Sequence, residues 1–296
     1  MKNICKYLLV GVVSTLLMSS CGDDIDPNWP GPNYQQNLKI KPLSANNNIV
    51  AHRGGATEAG VPDNSIASLE YAMGLRCYAS ECDIYITSDK KVIVAHADGN
   101  GKVNGYYPYE ATYSEISGKA TLANGEKIPL LEDYLQAAVK RGSCTKVWLD
   151  IKNVTMPSTQ PEHSISACVE ACRIIKEKEV QDWVEFICTS NETVMDACMD
   201  ACKDSGVNIA WMAAVSPEKY QAKGISWTNL SSGSVSDLTS TAPFGVTDYL
   251  DNGIAFSIFN LDKTAEFDVI NKKYGNRVKA ICTNYPKQML EHIEKI

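Results

Sequence analysis

One stretch restricts the fold more than any other. Residues 79–96 (ASECDIYITSDKKVIVAH) read as a strand, a polar turn at Ser88–Lys91 and a second strand. Side chains alternate faces along a strand. Glu81 and Asp83 therefore point one way, and Cys82 and Ile84 point the other, into an apolar layer. Two carboxylates on one face repel at close range, which costs stability unless a cation lies between them or a proton is shared. A two-residue turn centred on Asp89 and Lys90 pairs Asp83 with His96 and Glu81 with Asp98, gathering three acids and a histidine on one face. The simpler alternative is a surface hairpin whose polar face meets water.

The rest of the chain alternates strand and helix. Asn48–Ala51 is an apolar strand that ends in His52, Arg53, Gly54 and Gly55. Polar groups just past a buried parallel strand are where barrels and open sheets place their sites, and the glycines permit close backbone approach to a ligand. Asp63, Asn64 or Ser65 can cap a helix over Ile66–Leu75. Pro129–Val139 reads as helical, and Lys146–Lys152 as a strand with Asp150 and Lys152 on one face at its end. Helix His163–Glu179 leads to strand Val184–Thr189, and helix Glu192–Lys203 to strand Val207–Met212. A short helix near Glu218 precedes strand Gly224–Thr228. Strand Ile254–Phe259 leads to helix Thr264–Tyr274, and strand Val278–Cys282 to helix Lys287–Glu294. This alternation predicts a parallel sheet. Candidate site residues end several strands far apart in sequence, and a closed (β/α)8 TIM-type barrel brings such ends together.

At one barrel mouth the chain then assembles three carboxylates (Glu81, Asp83, Asp150), two histidines (His52, His96), Arg53 and Lys152. Carboxylates without cysteine or clustered histidine ligands suit a hard divalent cation, Ca2+ or Mg2+. Arg53 suits a phosphate by its planar fork and Lys152 as a point charge. Two histidines suit a general base and a general acid. Taken singly, each histidine is as readily structural, Asp150 with Lys152 a surface ion pair, and Asp98 a loop or capping acid.

These residues resemble the glycerophosphodiester phosphodiesterase family, a PLC-like phosphodiesterase barrel, over roughly residues 47–296. The resemblance is densest at His52-Arg53-Gly54, Pro62-Asp63-Asn64-Ser65, Glu81-Cys82-Asp83, His96 and Leu149-Asp150-Ile151-Lys152, and weaker at Ala280–Pro286. It implies that His52 and His96 are the acid–base pair, that Arg53 and Lys152 hold phosphate, and that Glu81, Asp83 and Asp150 hold the metal. It implies hydrolysis of a small-molecule glycerophosphodiester to glycerol 3-phosphate and an alcohol. Three departures bear on substrate choice. The family usually carries Glu where Asp63 and Asp150 stand; Ala97, with Asp98 one place on, replaces an acid after the second histidine; and Phe259 replaces a strand-end Trp that contacts the glycerol backbone. A lysophospholipase-D-like or phosphoinositide-type phosphodiesterase on the same barrel is the enzymatic alternative. A non-catalytic phosphodiester-binding lipoprotein is the other.

Ahead of the barrel, residues 1–21 carry Lys2 and Lys6, an apolar run over Tyr7–Met18 too short to span a bilayer comfortably, and Leu17-Met18-Ser19-Ser20-Cys21. They resemble a bacterial lipoprotein signal, with Met18 where Leu is more usual. The resemblance implies lipidation at Cys21 and a membrane-anchored protein in the periplasm or at the cell surface. The alternative is an ordinary secretory signal or a short anchor. Residues 22–46, rich in Pro, Gly and Asn, read as a flexible linker, and about 99–127 as an insertion over the site mouth. The formal charge of −7 argues against a nucleic-acid partner. Of the eleven cysteines, Cys168 and Cys172, and Cys198 and Cys202, sit four apart on expected helices. They read first as small buried apolar residues, then as inter-helix disulfides, and not as a zinc site, because no histidine accompanies them. If Cys21 is the lipidated residue, Cys21→Ala abolishes incorporation of labelled fatty acid; label retained in the variant rejects the assignment.

Overall fold

The computed structural model describes residues 40–295, so Cys21, the expected signal segment and residues 22–39 of the linker lie outside it. Nine strands form one sheet: β1 (Ile49–Ala51), β2 (Ala79–Ile86), β3 (Val92–Val94), β4 (Lys146–Ile151), β5 (Val184–Cys188), β6 (Asn208–Trp211), β7 (Trp227–Ser231), β8 (Ala255–Phe259) and β9 (Val278–Thr283). Every strand but β3 belongs to a parallel ring, which β1 closes by pairing with both β2 and β9. The ring with its outer helices is a (β/α)8 TIM-type barrel. The helices are α1 (Ala56–Ala59), α2 (Ile66–Gly74), α3 (Tyr113–Lys119), α4 (Leu131–Ala138), α5 (Pro161–Glu177), α6 (Glu192–Ser205), α7 (Pro217–Ala222), α8 (Val246–Leu250), α9 (Thr264–Tyr274) and α10 (Pro286–Ile293).

Local chemistry sets these boundaries. Ser65 Oγ accepts from Ser68 N at 3.0 Å and starts α2, while Asn191 caps α6, which stops at left-handed Gly206. Proline occupies the first turn of α5, α7 and α10, where its missing N–H costs nothing. Strand residues facing outward pack with the helices in one large apolar layer. The barrel interior is filled by Val50, Ala79, Trp148, Ile187, Ala210, Trp227, Ala280 and Cys282. At the strand starts, buried Glu185 accepts from Tyr78 Oη (2.9 Å), Trp148 Nε1 (2.8 Å), Lys146 Nζ (3.2 Å) and Lys279 Nζ (3.0 Å), so that end carries a satisfied polar plug. The site is left to the opposite end. Residues 40–46 run along the outside, where Ile40 C=O accepts from Trp183 Nε1 at 2.7 Å.

Two expectations are corrected. The β2–β3 register pairs Ile84 with Val94 and places Ala95, not His96, opposite Asp83, whose carbonyl accepts from Ala95 N at 3.0 Å. The turn has three residues, Ser88, Asp89 and Lys90, between the paired Thr87 and Lys91, and Lys90 takes a positive φ of 62°. The extra residue shifts the pairing by one. Asp98 is accordingly a loop acid: its Oδ1 accepts from Asn100 N (2.8 Å) and Lys102 N (2.9 Å). The sixth ring strand is Trp227–Ser231 rather than Gly224–Thr228. Asn229 and Ser231 interrupt the apolar pattern at its end, and Gly224 turns the chain with φ 69° before it.

The turn after β1 positions the mouth. Arg53, Gly54 and Gly55 all have positive φ (48°, 79° and 74°), so the chain folds back on itself and aims the Arg53 N–H at Glu81. A Cβ on Gly54 would lie 2.5 Å from the Ser68 backbone carbon, and one on Gly55 2.7 Å from Pro286 Cγ. The close approach these glycines allow is thus to α2 and α10. Gly54→Ala combines a left-handed conformation with a backbone clash, and should lower stability by about 3 kcal/mol or fail to fold, as read from the urea midpoint.

Candidate active site

Parallel pairing places Asp83 of β2 directly beside Asp150 of β4, with Glu81 two residues earlier on the same face. All three are buried, and one carboxylate oxygen from each lies within 4.8 Å of the others. Two cations reach this cluster. Lys152 Nζ is 2.8 Å from Asp83 Oδ1 and donates to Asp150 Oδ2 at 2.8 Å. Arg53 Nε lies 3.4 Å from Asp83 Oδ2, and its Nη1 donates to Asp63 at 2.9 Å. Asn64 clamps Asp83 from behind: its Nδ2 donates to Asp83 Oδ2 and its Oδ1 accepts from Asp83 N, each at 3.0 Å. The Arg53 backbone N–H donates to Glu81 Oε2 at 2.8 Å.

The charges do not balance within the cluster. Burial, then the fields of Asp83 and Asp150, push the Glu81 carboxyl well above its usual range. Burial raises Asp150 as well, against the pull of Lys152. Burial acts on Asp83 too, but Lys152, followed by His96 and Arg53, holds it below the usual range. Asp150 Oδ1 is buried without a hydrogen-bond donor, and Asp83 Oδ1 meets only the Lys152 ammonium, as an ion pair at 2.8 Å. An oxygen donor left unsatisfied, in a cluster one positive charge short, fits a hard divalent cation. The shorter Asp150 carries that free oxygen.

His52 follows β1 directly, and its Nδ1 lies 2.7 Å from Asn284 Oδ1. Asn284 Nδ2 donates to Asp262 Oδ2 at 2.8 Å, and a carboxylate only accepts, so the amide oxygen must face the histidine. His52 therefore carries its proton on Nδ1, and its Nε2, 3.8 Å from Glu81 Oε2, holds the free lone pair. Asp262 is itself fixed by Thr283 Oγ1 (3.0 Å) and Asn284 N (2.8 Å). Burial lowers the His52 pKa, and the Asn284 contact opposes that shift. His96 lies beyond the end of β3, is more exposed, and is also lowered by burial, with Asp83 opposing.

The two histidines line different hollows. His52, Arg53, Glu81, Asp150, Lys152, Asn229 and Phe259 surround a cavity of about 140 Å³. His96 lines a groove of about 180 Å³ with Tyr85, Tyr109, Asn153 and Met156. The insertion builds one wall of the groove: Tyr109 stacks on His163 with centroids 4.0 Å apart, and its hydroxyl donates to Met156 O at 3.1 Å. Of the residues singled out at the mouth, His52, Arg53, Glu81, Asp150, Lys152 and Phe259 line the inner cavity, Asp83 pairs with Arg53 and Lys152 beside it, and His96 lines the neighbouring groove. Asn64 enters the sequence reading as a possible cap and as part of the Pro62–Ser65 resemblance, without a role at the carboxylates; Asp262 and Asn229 do not enter it. A polar residue at or just past a strand's C-terminal end was the available signal for the last two.

No protein-family model matches the chain. Over 101 residues it is 31% identical to a Bacillus subtilis protein assigned by inference to the glycerophosphodiester phosphodiesterases; the match covers 31% of this chain and 41% of the relative's length. Solved structures match almost end to end. A glycerophosphodiester phosphodiesterase from Parabacteroides distasonis superposes with a TM-score of 0.70 at 22% identity, covering 86% of this chain and 99% of that one. A phosphodiesterase of Oleispira antarctica, solved with its product sn-glycerol-3-phosphate, does so with a TM-score of 0.61 at 19% identity, covering 84% and 97%. The enzyme of Thermotoga maritima gives 0.58 at 15% identity, covering 83% and 98%. In its barrel, and in the 101 residues matched by sequence, this chain resembles the glycerophosphodiester phosphodiesterase family.

Proposed function

We propose that the chain hydrolyses glycerophosphodiesters to glycerol 3-phosphate and an alcohol. The observation that carries this reading is the placement of one histidine in each of two hollows, with the cations Arg53 and Lys152 in the inner one. The inner cavity takes the glycerol phosphate, against Asn229 and Phe259. The groove at His96 takes the departing alcohol.

His52 presents a free Nε2 lone pair and is the general base, deprotonating a substrate hydroxyl or water. Asn284 and Asp262 hold its ring and tautomer, as a carboxylate does in other histidine sites. Arg53 and Lys152 neutralise the charge that builds on the phosphoryl oxygens. His96 donates a proton to the leaving alkoxide, whose departure is otherwise slow. A divalent cation held by Glu81, Asp83 and Asp150 would add charge neutralisation at the phosphate. The reading of residues 1–21 as a lipoprotein signal supports an anchored position outside the cytoplasm, where deacylated phospholipid headgroups would be the substrates.

Glycerol 3-phosphate release should depend on Ca2+ or Mg2+ and stop with chelator. His52→Ala and His96→Ala should each lose roughly 10²–10⁴-fold in kcat while remaining folded. A substrate with a nitrophenol leaving group, which needs no proton, should restore much of the His96→Ala rate and little of the His52→Ala rate. Equal rescue of both would reverse or reject the role assignment, and no release from any glycerophosphodiester would reject the activity. Because the Asn284 contact raises the His52 pKa, Asn284→Leu should move the acidic limb of the kcat/KM profile to lower pH and cut the rate roughly 10–100-fold; an unmoved limb argues against His52 as base.

Cation binding has a signed pH dependence. Glu81 and Asp150 are raised in the folded state, so the cation-free protein loses stability as pH rises from the ordinary carboxylate range through their folded values. A cation reverses that loss. The increase in melting temperature on adding Mg2+ or Ca2+ should therefore grow with pH and disappear in Asp150→Asn; a shift independent of pH counts against the three acids as ligands.

A further inference from the structure

All nine cysteines among the described residues are free and buried. Four, Cys77, Cys82, Cys144 and Cys282, are scattered through the core and behave as small apolar residues. The other five gather at one place. Cys168 and Cys172 lie one turn apart on α5, Cys198 and Cys202 one turn apart on α6, and Cys188 ends β5 between them. Helices α5 and α6 pack against each other, and both thiols of each face the partner helix. Cys172 Sγ and Cys202 Sγ are 3.9 Å apart. The sulfurs of Cys168, Cys172 and Cys202 all fall within 4.8 Å of one another. Cys198 lies one turn before Cys202 on α6 and is buried beside them, outside that three-sulfur group.

We propose that Cys168, Cys172, Cys198 and Cys202 form a second metal site, which binds one thiophilic d10 cation such as Zn2+ through sulfur alone. A tetrahedron with Zn–S bonds of about 2.3 Å has S–S edges of about 3.8 Å. The Cys172–Cys202 pair already has that separation, Cys168 needs to move by about 1 Å or less, and Cys198, outside the three-sulfur group, closes the tetrahedron by turning its side chain inward. The sequence argument against zinc rested on the lack of histidine, but an all-thiolate structural site needs none. Packing does not require thiols in mutual contact, because alanine or valine fills such a seam as well. The site is closed on all sides except at Cys172, which keeps 6% of its surface exposed and offers the way in. Each ligating thiol gives up one proton as the cation binds, so binding weakens as pH falls. The site is independent of the barrel mouth, whose donors are oxygens and select hard cations.

The test uses the full chain, reduced, with excess Mg2+ to occupy the carboxylates, and titrates it with Co2+ as the spectroscopic probe. The expected result is one equivalent of Co2+ per chain with sulfur-to-metal charge-transfer bands in the near ultraviolet, displaced by Zn2+ and lost in Cys172→Ala/Cys202→Ala. Cys77→Ala/Cys144→Ala should keep the bands. Absence of charge transfer in the folded, fully reduced wild type overturns the site, whatever the variants do. Bands that survive in Cys172→Ala/Cys202→Ala overturn the ligand assignment. A Cys172–Cys202 disulfide, found by mass in protein isolated without reductant and followed by no band after reduction, assigns the pair to crosslinking instead.

Discussion

The arrangement depends on keeping three buried carboxylates within reach of one another. Glu81, Asp83 and Asp150 repel in a medium that screens them poorly, and Lys152 and Arg53 supply two of the three charges needed to offset them. The rest of the mouth follows from that constraint. Asn64 fixes Asp83 through both its backbone and its carboxylate, the Arg53 backbone fixes Glu81, and strand pairing fixes Asp150 beside Asp83. The remaining deficit is expressed as a rise in the Glu81 and Asp150 pKa values, and it makes the cluster receptive to a hard cation.

The fold holds this cluster without deforming because polar groups sit at both ends of the barrel and apolar ones between. Trp148 shows the division: its ring fills the interior and its Nε1 donates to Glu185 at the closed end, two residues before Asp150 at the open one. Glu185 differs from the mouth acids in having donors enough of its own. Burial opposes its charge, but Lys279 and Lys146 hold it below the usual carboxylate range. One acid is therefore structural and three are poised, although all four are buried.

The histidines divide by their surroundings in a comparable way. His52 is half-buried, its tautomer set by Asn284 and, through it, Asp262. His96 stands at a groove whose walls come from the insertion and from the loop after β4, segments that lie outside the ring's own strand pairing.

Much of this was legible in the chain. Period-two alternation put Glu81 and Asp83 on one face and Cys82 and Ile84 on the other, and the strand–helix alternation spelled a parallel barrel, because both patterns are local consequences of backbone geometry. Residues at strand ends were read as site residues for the same reason. The hairpin register was not legible, because a left-handed Lys90 adds a residue to the turn without any glycine to mark it. The Trp227–Ser231 strand was misplaced because its polar end faces the mouth rather than water. The His52–Asn284–Asp262 chain and the facing thiols of α5 and α6 join residues 232 and 30 positions apart. The sequence by itself determined which residues are chemically able to act and which face of each element they occupy. Only closure of the ring decided which of them meet, since distance across a barrel mouth has no counterpart along the chain.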